Sequence, residues 1–459
     1  MKNALLAPEL RELLAKEDTS AIREFCSSSH PGTIAEFLSA LTPEEVWEIF
    51  TVLEPRLRAE IFSNLDQGLQ VGLAESLRRQ DLAGIVTHMS ADERVDLLKR
   101  LPEEMQEDIL PVLAQAERED IRRLASYPEG TAGAVMTSDY ATLSPEQTVE
   151  EAIAKLRREA PDKETIYYTY VVDSQRKLIG FLSLKDLILA RPDRRVEDIM
   201  HRDLIYAMVT EDQEEAARKI AKYDLLALPV VNGNHVLVGI ITHDDAIDVI
   251  HQEHTEDMEK FMAIRGSHET ASYMRTSSWE HFKNRFLWLV ILASLGLVSG
   301  YIVQNFEGLL LQFAILATFM PMLADTGGNT GSQSATLVIR ALALKEISPK
   351  DVFRVLFKEF KVALPMALLL AALAFGRVIA FGGNSGRPQG YDLSLIGIAV
   401  GAALGLQVLT STLIGALLPL AAAKMRFDPA VVASPALTTI VDITGLFIYF
   451  ATAKFLLGI

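Results

Sequence analysis

From residue 1 to about 128, apolar side chains recur at helical spacing between polar ones, and the pattern restarts several times. Two restarts carry capping-box chemistry. Thr42-Pro43-Glu44-Glu45 and Ser90-Ala91-Asp92-Glu93 each set a hydroxyl before a helix and a carboxylate at its third position, so both can satisfy free backbone donors. Pro43 suits the first helical position, where its missing N–H costs nothing. Segment 1–130 is therefore expected to be a stacked, superhelical all-α domain.

From Gly133 the pattern turns mixed α/β and repeats itself. The stretch Tyr-Val-Val-Asp-Ser-Gln-Arg-Lys-Leu-Ile-Gly-Phe-Leu-Ser around Gly180 is echoed by Pro-Val-Val-Asn-Gly-Asn-His-Val-Leu-Val-Gly-Ile-Ile-Thr around Gly239. Val171 and Val230, Gly180 and Gly239, and Asp186 and Asp245 all share an offset of 59 residues. Each copy reads as strand, polar turn, strand, then a Ser or Thr capping a helix, and Val135-Met136-Thr137 and Ile199-Met200-His201 open the two copies. Over 131–252 this tandem repeat resembles a pair of CBS domains, a module that often binds adenine nucleotides.

A charged, helix-compatible connector at 253–280 leads into an all-α membrane part at 281–459. Its apolar runs are Phe286–Val303, Leu309–Leu344, Phe360–Phe381, Leu393–Leu420 and Ala436–Leu457. About 20 residues span a bilayer, so five transmembrane helices are expected. Lys283, Arg285, Arg340, Lys345, Lys350, Arg354, Lys358, Lys361, Lys424 and Arg426 flank the ends assigned to the cytoplasm, with Arg377 and Arg387 as exceptions. The expected fold class is thus multidomain: helical N-domain, α/β tandem repeat, five-helix membrane domain.

Charge sharpens this division. Beyond residue 283 there are eight acidic residues and twelve Lys or Arg, which leaves 52 acids and 32 bases before it. A soluble part so acidic repels nucleic acid and attracts cations. Cys26 is the sole cysteine, so no intramolecular disulfide can form. The N-terminus lacks the apolar core of a secretory signal, which predicts a cytoplasmic location for the soluble part.

Asp442 lies within the last apolar run. A mid-membrane Asp costs roughly 2.5 to 3.5 kcal/mol on insertion scales, and such groups usually face an aqueous path. The alternative is a hydrogen bond or ion pair between helices. In the second run, Gly327, Gly328 and Gly331 permit close helix packing or a local break. Asn329, Thr330, Ser332, Gln333 and Thr336 add uncharged oxygens there, and Asp325 adds an acid.

The Gly-Gly-Asn-Thr-Gly-Ser-Gln stretch, Phe427-Asp428-Pro429-Ala430, Ser434-Pro435 and Thr438-Thr439-Ile440-Val441-Asp442-Ile443-Thr444-Gly445, in this domain order, resemble the MgtE family of magnesium channels and transporters. Ser434, where members often carry Asn, and the extra Asp325 depart from that pattern. The resemblance implies a homodimer in membrane lipid with one pore on the two-fold axis. It assigns Asp442 as the selectivity carboxylate, with the backbone near Thr438 and the Gly-rich second span at the same site. Magnesium holds its waters tightly, so a few oxygens can select it through its hydration shell, and other divalent cations are competitors.

The resemblance also gives the acids a role. Asp92, Asp96, Glu214, Asp224, Asp245, Asp248, Glu253, Glu256 and Asp257 would bind hydrated Mg2+ between domains and shut the pore, with Asp428 at the membrane end. Asp186 matches the CBS position that holds a nucleotide ribose, and Tyr168 could stack on adenine, which makes ATP a regulatory candidate; a helix-start Asp and a core Tyr are the alternative. A coupled exporter or an anion channel with CBS domains is one alternative, but an anion path should expose Arg or Lys in the spans and the buried charge here is acidic; a tethered nucleotide sensor is another, but it would not need Asp442 or the Gly-rich polar stretch. No nucleophile–base pair, Walker loop or Cys/His metal spacing suggests an enzyme. His88, His201, His243, His251 and His254 read as structural or solvated.

Overall fold

Ten helices occupy the N-terminal part: α1 (Ala7–Ala15), α2 (Thr19–Ser27), α3 (Pro31–Leu38), α4 (Pro43–Thr51), α5 (Pro55–Ser63), α6 (Gln67–Ser76), α7 (Arg79–Val86), α8 (Ala91–Arg100), α9 (Glu103–Ile109) and α10 (Gln115–Ala125). The computed structural model describes residues 4–262, 264, 276–381, 391–432 and 435–458; Arg387, Ser434 and much of the connector's second half lie outside them. From α3 onward each helix packs on the one after next, α3 on α5, α4 on α6, α5 on α7, α6 on α8, α7 on α9 and α8 on α10. This stack buries Ile49, Phe50, Phe62, Leu73, Leu82 and Ile85 completely.

The Thr42 capping box forms: Thr42 N–H donates to Glu45 Oε2 at 2.8 Å, and Glu45 N–H donates to the Thr42 hydroxyl at 3.3 Å. The box expected at Ser90 does not form. Glu93 is taken instead by the Ser63 hydroxyl of α5, which donates to it at 2.6 Å. A half-buried tertiary partner outcompetes a local one that water could replace.

The repeat forms two matching sheets. Strands β1 (Tyr140–Leu143), β2 (Thr165–Val172) and β3 (Leu178–Ser183) make one, with α11 (Val149–Glu159) between the first two and α12 (Leu184–Leu189) and α13 (Val196–Ile199) after the third. Strands β4 (Ala207–Met208), β5 (Ala227–Val231) and β6 (Leu237–Thr242) make the other, with α14 (Gln213–Tyr223) between and α15 (His243–Phe261) after. In both, the first pair is parallel and the second antiparallel. Val171 pairs with Gly180 and Val230 with Gly239, so the 59-residue offset survives as register.

The copies also interlock. A Cβ on Gly239 would stand 2.5 Å from Met136 Sδ, and one on Gly180 would stand 2.7 Å from Met200 Sδ. Each opening methionine therefore seats on the glycine of the other copy, and backbone bridges Thr137–Ile240 and Phe181–His201 run alongside.

The fold comprises two units, one up to His254 and one from Thr255 onward among the described residues, with α15 running through the division. The second unit holds α16 (Ser278–Asn305), α17 (Glu307–Gln312), α18 (Ala314–Ala317), α19 (Met320–Ala343), α20 (Val352–Phe381), α21 (Leu393–Lys424) and α22 (Pro435–Leu457). Among the described residues, four helices are long and apolar enough to cross a membrane: α16, α20 with the short turn before it, α21 and α22. The remaining expected span, the second run Leu309–Leu344, is not one helix. It breaks after α17 and again after α18, where the backbone turns at Phe313 and Phe319 before Pro321 restarts the helix. Its remainder, α19, has 24 residues and a length of about 36 Å, enough to span but too polar to stand out by composition.

Candidate functional site

α19, α21 and α22 pack through glycines. A Cβ on Gly415 of α21 would meet the Gly331 carbonyl of α19 at 2.2 Å, and one on Gly331 would meet Val441 of α22 at 3.4 Å. α19 stays helical through Gly327, Gly328 and Gly331, so the local break does not occur and the glycines serve close approach.

With the glycines turned inward, Thr330 and Ser334 are buried, Thr330 donating to the Thr326 carbonyl and Ser334 to Glu359, while the other polar side chains of the stretch lie toward the outside. Asp325, Asn329 and Gln333 follow at four-residue spacing and are exposed; Ser332, Thr336 and Arg340 follow likewise, with only Ser332 half-buried. These are two adjacent ridges of one helix face. Asn329 Nδ2 donates to Asp325 Oδ1 at 3.2 Å, and the Thr336 hydroxyl donates to the Ser332 carbonyl at 2.8 Å. Such a stripe at membrane depth requires water or protein against it.

Beside it stands α22. Thr438 packs on Gly328, where a Cβ would come within 3.3 Å, and Val441 packs on Gly327. Asp442 follows on the next position, half-buried, with Oδ1 shielded from solvent and without a hydrogen-bond partner among the described residues. The interhelical hydrogen bond offered as an alternative is not seen at that oxygen. An orphaned carboxylate oxygen calls for a donor from outside the chain, and the waters of a hydrated cation are such donors.

In the first unit the two acidic faces do meet. A cleft of about 350 Å³ is lined by Asp92 and Asp96 from α8 and by Asp245 and Asp248 from α15. Lys99 and Arg100 share it, Arg100 lying 3.8 Å from Asp96. Burial pushes Asp245 up to about 8, and the charges of Asp92, Asp244 and Glu164 add to this, while the Thr242 hydroxyl offsets part of it. Asp92 rises to about 6 through burial and the neighbouring Glu93. Glu164, which the sequence reading missed, rises to about 7 through burial and then Asp92 and Glu93. Among the described residues, no group of three or more His, Cys, Asp or Glu is placed to hold a metal ion.

These shifts set a pH dependence. A carboxylate whose folded value is raised favours the folded contact when protonated, and that stability is lost as pH rises from about 4 through the folded value. Without divalent cations, α8 and α15 should therefore loosen as pH rises from about 4 to about 8, since the folded values of Asp92, Glu164 and Asp245 lie at about 6, 7 and 8. Hydrogen exchange of the intact purified chain, corrected for intrinsic rates, should show faster opening of α8 at pH 8 than at pH 5.5. Magnesium should slow it only at the higher pH; equal protection at both would contradict the coupling.

The other predicted acids are placed differently. Glu214 pairs with Arg218 on its own helix, and Asp224 ends α14 in the left-handed conformation at φ 52; neither lines the cleft. Glu253 accepts from Gln213 Nε2 at 2.7 Å. In the second unit Lys260 lies 2.6 Å from Glu256 and 3.2 Å from Asp428, a lysine ammonium standing between two of the expected cation ligands, with Asp257 beside Glu256 on α15. Asp186 accepts from the Ser183 N–H at 2.9 Å and from the Ser183 hydroxyl at 2.6 Å, and lies 3.2 Å from His201 Nε2. Tyr168 lines a cleft of about 50 Å³ with Phe181 and Pro229, and Asp186 does not line that cleft.

Taken together, the long apolar helices, the polar stripe beside a half-buried carboxylate and the helical and CBS-type domains ahead of them define a multi-pass membrane transport protein with additional N-terminal domains. Residues 320–452 match MgtE, divalent cation transporter; 29–130 match the MgtE intracellular N domain; 132–193 and 196–252 match the CBS domain. The chain is 43% identical over 337 residues to the magnesium transporter MgtE of Thermus thermophilus, covering 73% of this chain and 72% of that one. It is 39% identical to that of Bacillus subtilis, over 72% and 71%. The crystal structure of the soluble part of a magnesium transporter superposes with a TM-score of 0.52 at 33% identity, covering 54% of this chain and 97% of that one. This chain belongs to the MgtE magnesium transporter family.

Proposed function

We propose that the chain is a magnesium-selective channel or transporter of the bacterial inner membrane, active as a homodimer, that takes up Mg2+ and is shut by cytosolic Mg2+ at the acidic cleft. The observation that carries this reading is the unpartnered Asp442 oxygen beside the exposed polar stripe of α19. On the two-fold axis of a dimer the carboxylate would be doubled, a ring that favours cations. Asn329, Ser332, Gln333, Thr336 and the backbone near Thr438 would then face the hydrated ion as it passes. At the cytosolic end, hydrated Mg2+ would replace protons between Asp92, Asp96, Asp245 and Asp248 and hold α8 to α15. Glu256, Asp257 and Asp428 would act at the connector, where Mg2+ competes with Lys260.

The test is reconstitution: the chain in liposomes loaded with a magnesium-sensitive dye should admit Mg2+ down its gradient, and less of it when Mg2+ is raised on the cytosolic face. ATP is a second ligand in this reading, held at the first CBS copy through its ribose by Asp186, while Tyr168, whose cleft Asp186 does not line, is set aside as its adenine partner. Calorimetric titration with millimolar ATP should give heat that Asp186→Ala removes; no signal in the parent chain would remove ATP from the account.

A further inference from the structure

α19, α21 and α22 meet around one amide. Gln407, in the middle of α21, is 0% exposed. Its Nε2 donates to the Leu323 carbonyl of α19 at 2.8 Å, and its Oε1 is buried with no partner among the described residues. A Cβ on Gly327 would stand 2.2 Å from that Nε2, and a Cβ on Gly445 of α22 would stand 2.4 Å from it. The side chain therefore passes between α19 and α22 through a gap that exists because both positions are glycine.

Both contacts adjoin the candidate ion site. Gly445 lies three residues beyond Asp442 on α22, the spacing that puts two positions on one helix face. Gly327 is where Val441, next to Asp442, packs on α19. An amide is also a costly choice for filling this gap, since an apolar side chain of similar shape would leave no acceptor unsatisfied. Space-filling alone does not account for it.

We infer that Gln407 is a positioning residue: by bracing α19 at Leu323 and α22 at Gly445, it fixes where the Asp442 carboxylate stands relative to the polar stripe, and so sets discrimination among divalent cations. This rests on the reading of Asp442 as the carboxylate facing the ion. Recognition through a water layer depends on distance, because magnesium and calcium differ in size and in how firmly they hold their waters. A carboxylate free to shift with its helix would lose that discrimination before it lost attraction for cations, since functional groups must be held to within about 0.5 Å.

The experiment compares Mg2+ and Ca2+ flux into liposomes carrying the full chain. Gln407→Met keeps the volume and removes the brace; the Mg2+ to Ca2+ ratio is expected to fall roughly tenfold, as when a residue orienting a metal-facing group is lost, with the elution volume on gel filtration unchanged. Gly445→Ala, whose methyl displaces the amide without removing it, should lower the ratio likewise and decides the matter if Gln407→Met does not assemble. Asp442→Ala is run beside them. A changed ratio in Asp442→Ala with a parental ratio in both other variants overturns the bracing role alone; an unchanged ratio in Asp442→Ala overturns the reading beneath it.

Discussion

Asp442→Ala is expected to cut magnesium flux into liposomes by about two orders of magnitude while leaving the protein at least as stable as the parent. The carboxylate has a solvent-shielded, unpartnered oxygen on a membrane helix, so removing it relieves a desolvation penalty rather than breaking a contact. If attraction for the passing cation matches the roughly 2.5 to 3.5 kcal/mol that a mid-membrane Asp costs, flux should fall by about 100-fold. Asp442→Asn, which keeps an acceptor but loses the charge, should fall between the two. A thermal midpoint that drops together with flux would mean instead that Asp442 holds helices together.

Neutralising the cleft should have the second-largest effect. Asp92→Asn, Asp245→Asn and Asp248→Asn together remove both the repulsion that separates α8 from α15 and the sites at which magnesium would relieve it. Conductance should then lose its dependence on cytosolic magnesium, with the midpoint of inhibition moved by at least about tenfold. Glu214→Gln, at a side chain already held by Arg218, should leave that midpoint unchanged. Unaltered inhibition in the triple variant would reject the cleft as the sensor.

Periodicity and repetition made much of this legible in advance. The 59-residue offset became matched strand register, since a strand's partner is set by alternation that a sequence displays. Asp442 was conspicuous because a charge in an apolar run has few bland explanations. What escaped depended on partners distant in sequence. Glu93 abandons a local cap for Ser63, and Glu164 lines another cleft with Glu93 and Asp139 yet feels the charge of Asp92. The seating of Met136 and Met200 on each other's copies is a tertiary exchange that a repeat alone does not disclose. The second span read as one apolar run, but hydropathy averages over the turns at Phe313 and Phe319 that divide it. Gln407 was visible as a lone amide in the fourth run, and intramembrane polarity was the available signal; its importance emerges only with the glycines on either side.

The central claim is that a hydrated divalent cation is held by Asp442 inside the membrane. Anomalous diffraction from crystals of the full chain grown with Mn2+ tests it most directly. The account predicts a manganese peak on the dimer axis, one water layer from the Asp442 carboxylate and facing the polar side of α19. Asp442 turned toward lipid or bonded to another side chain, with no peak near it, would contradict the account.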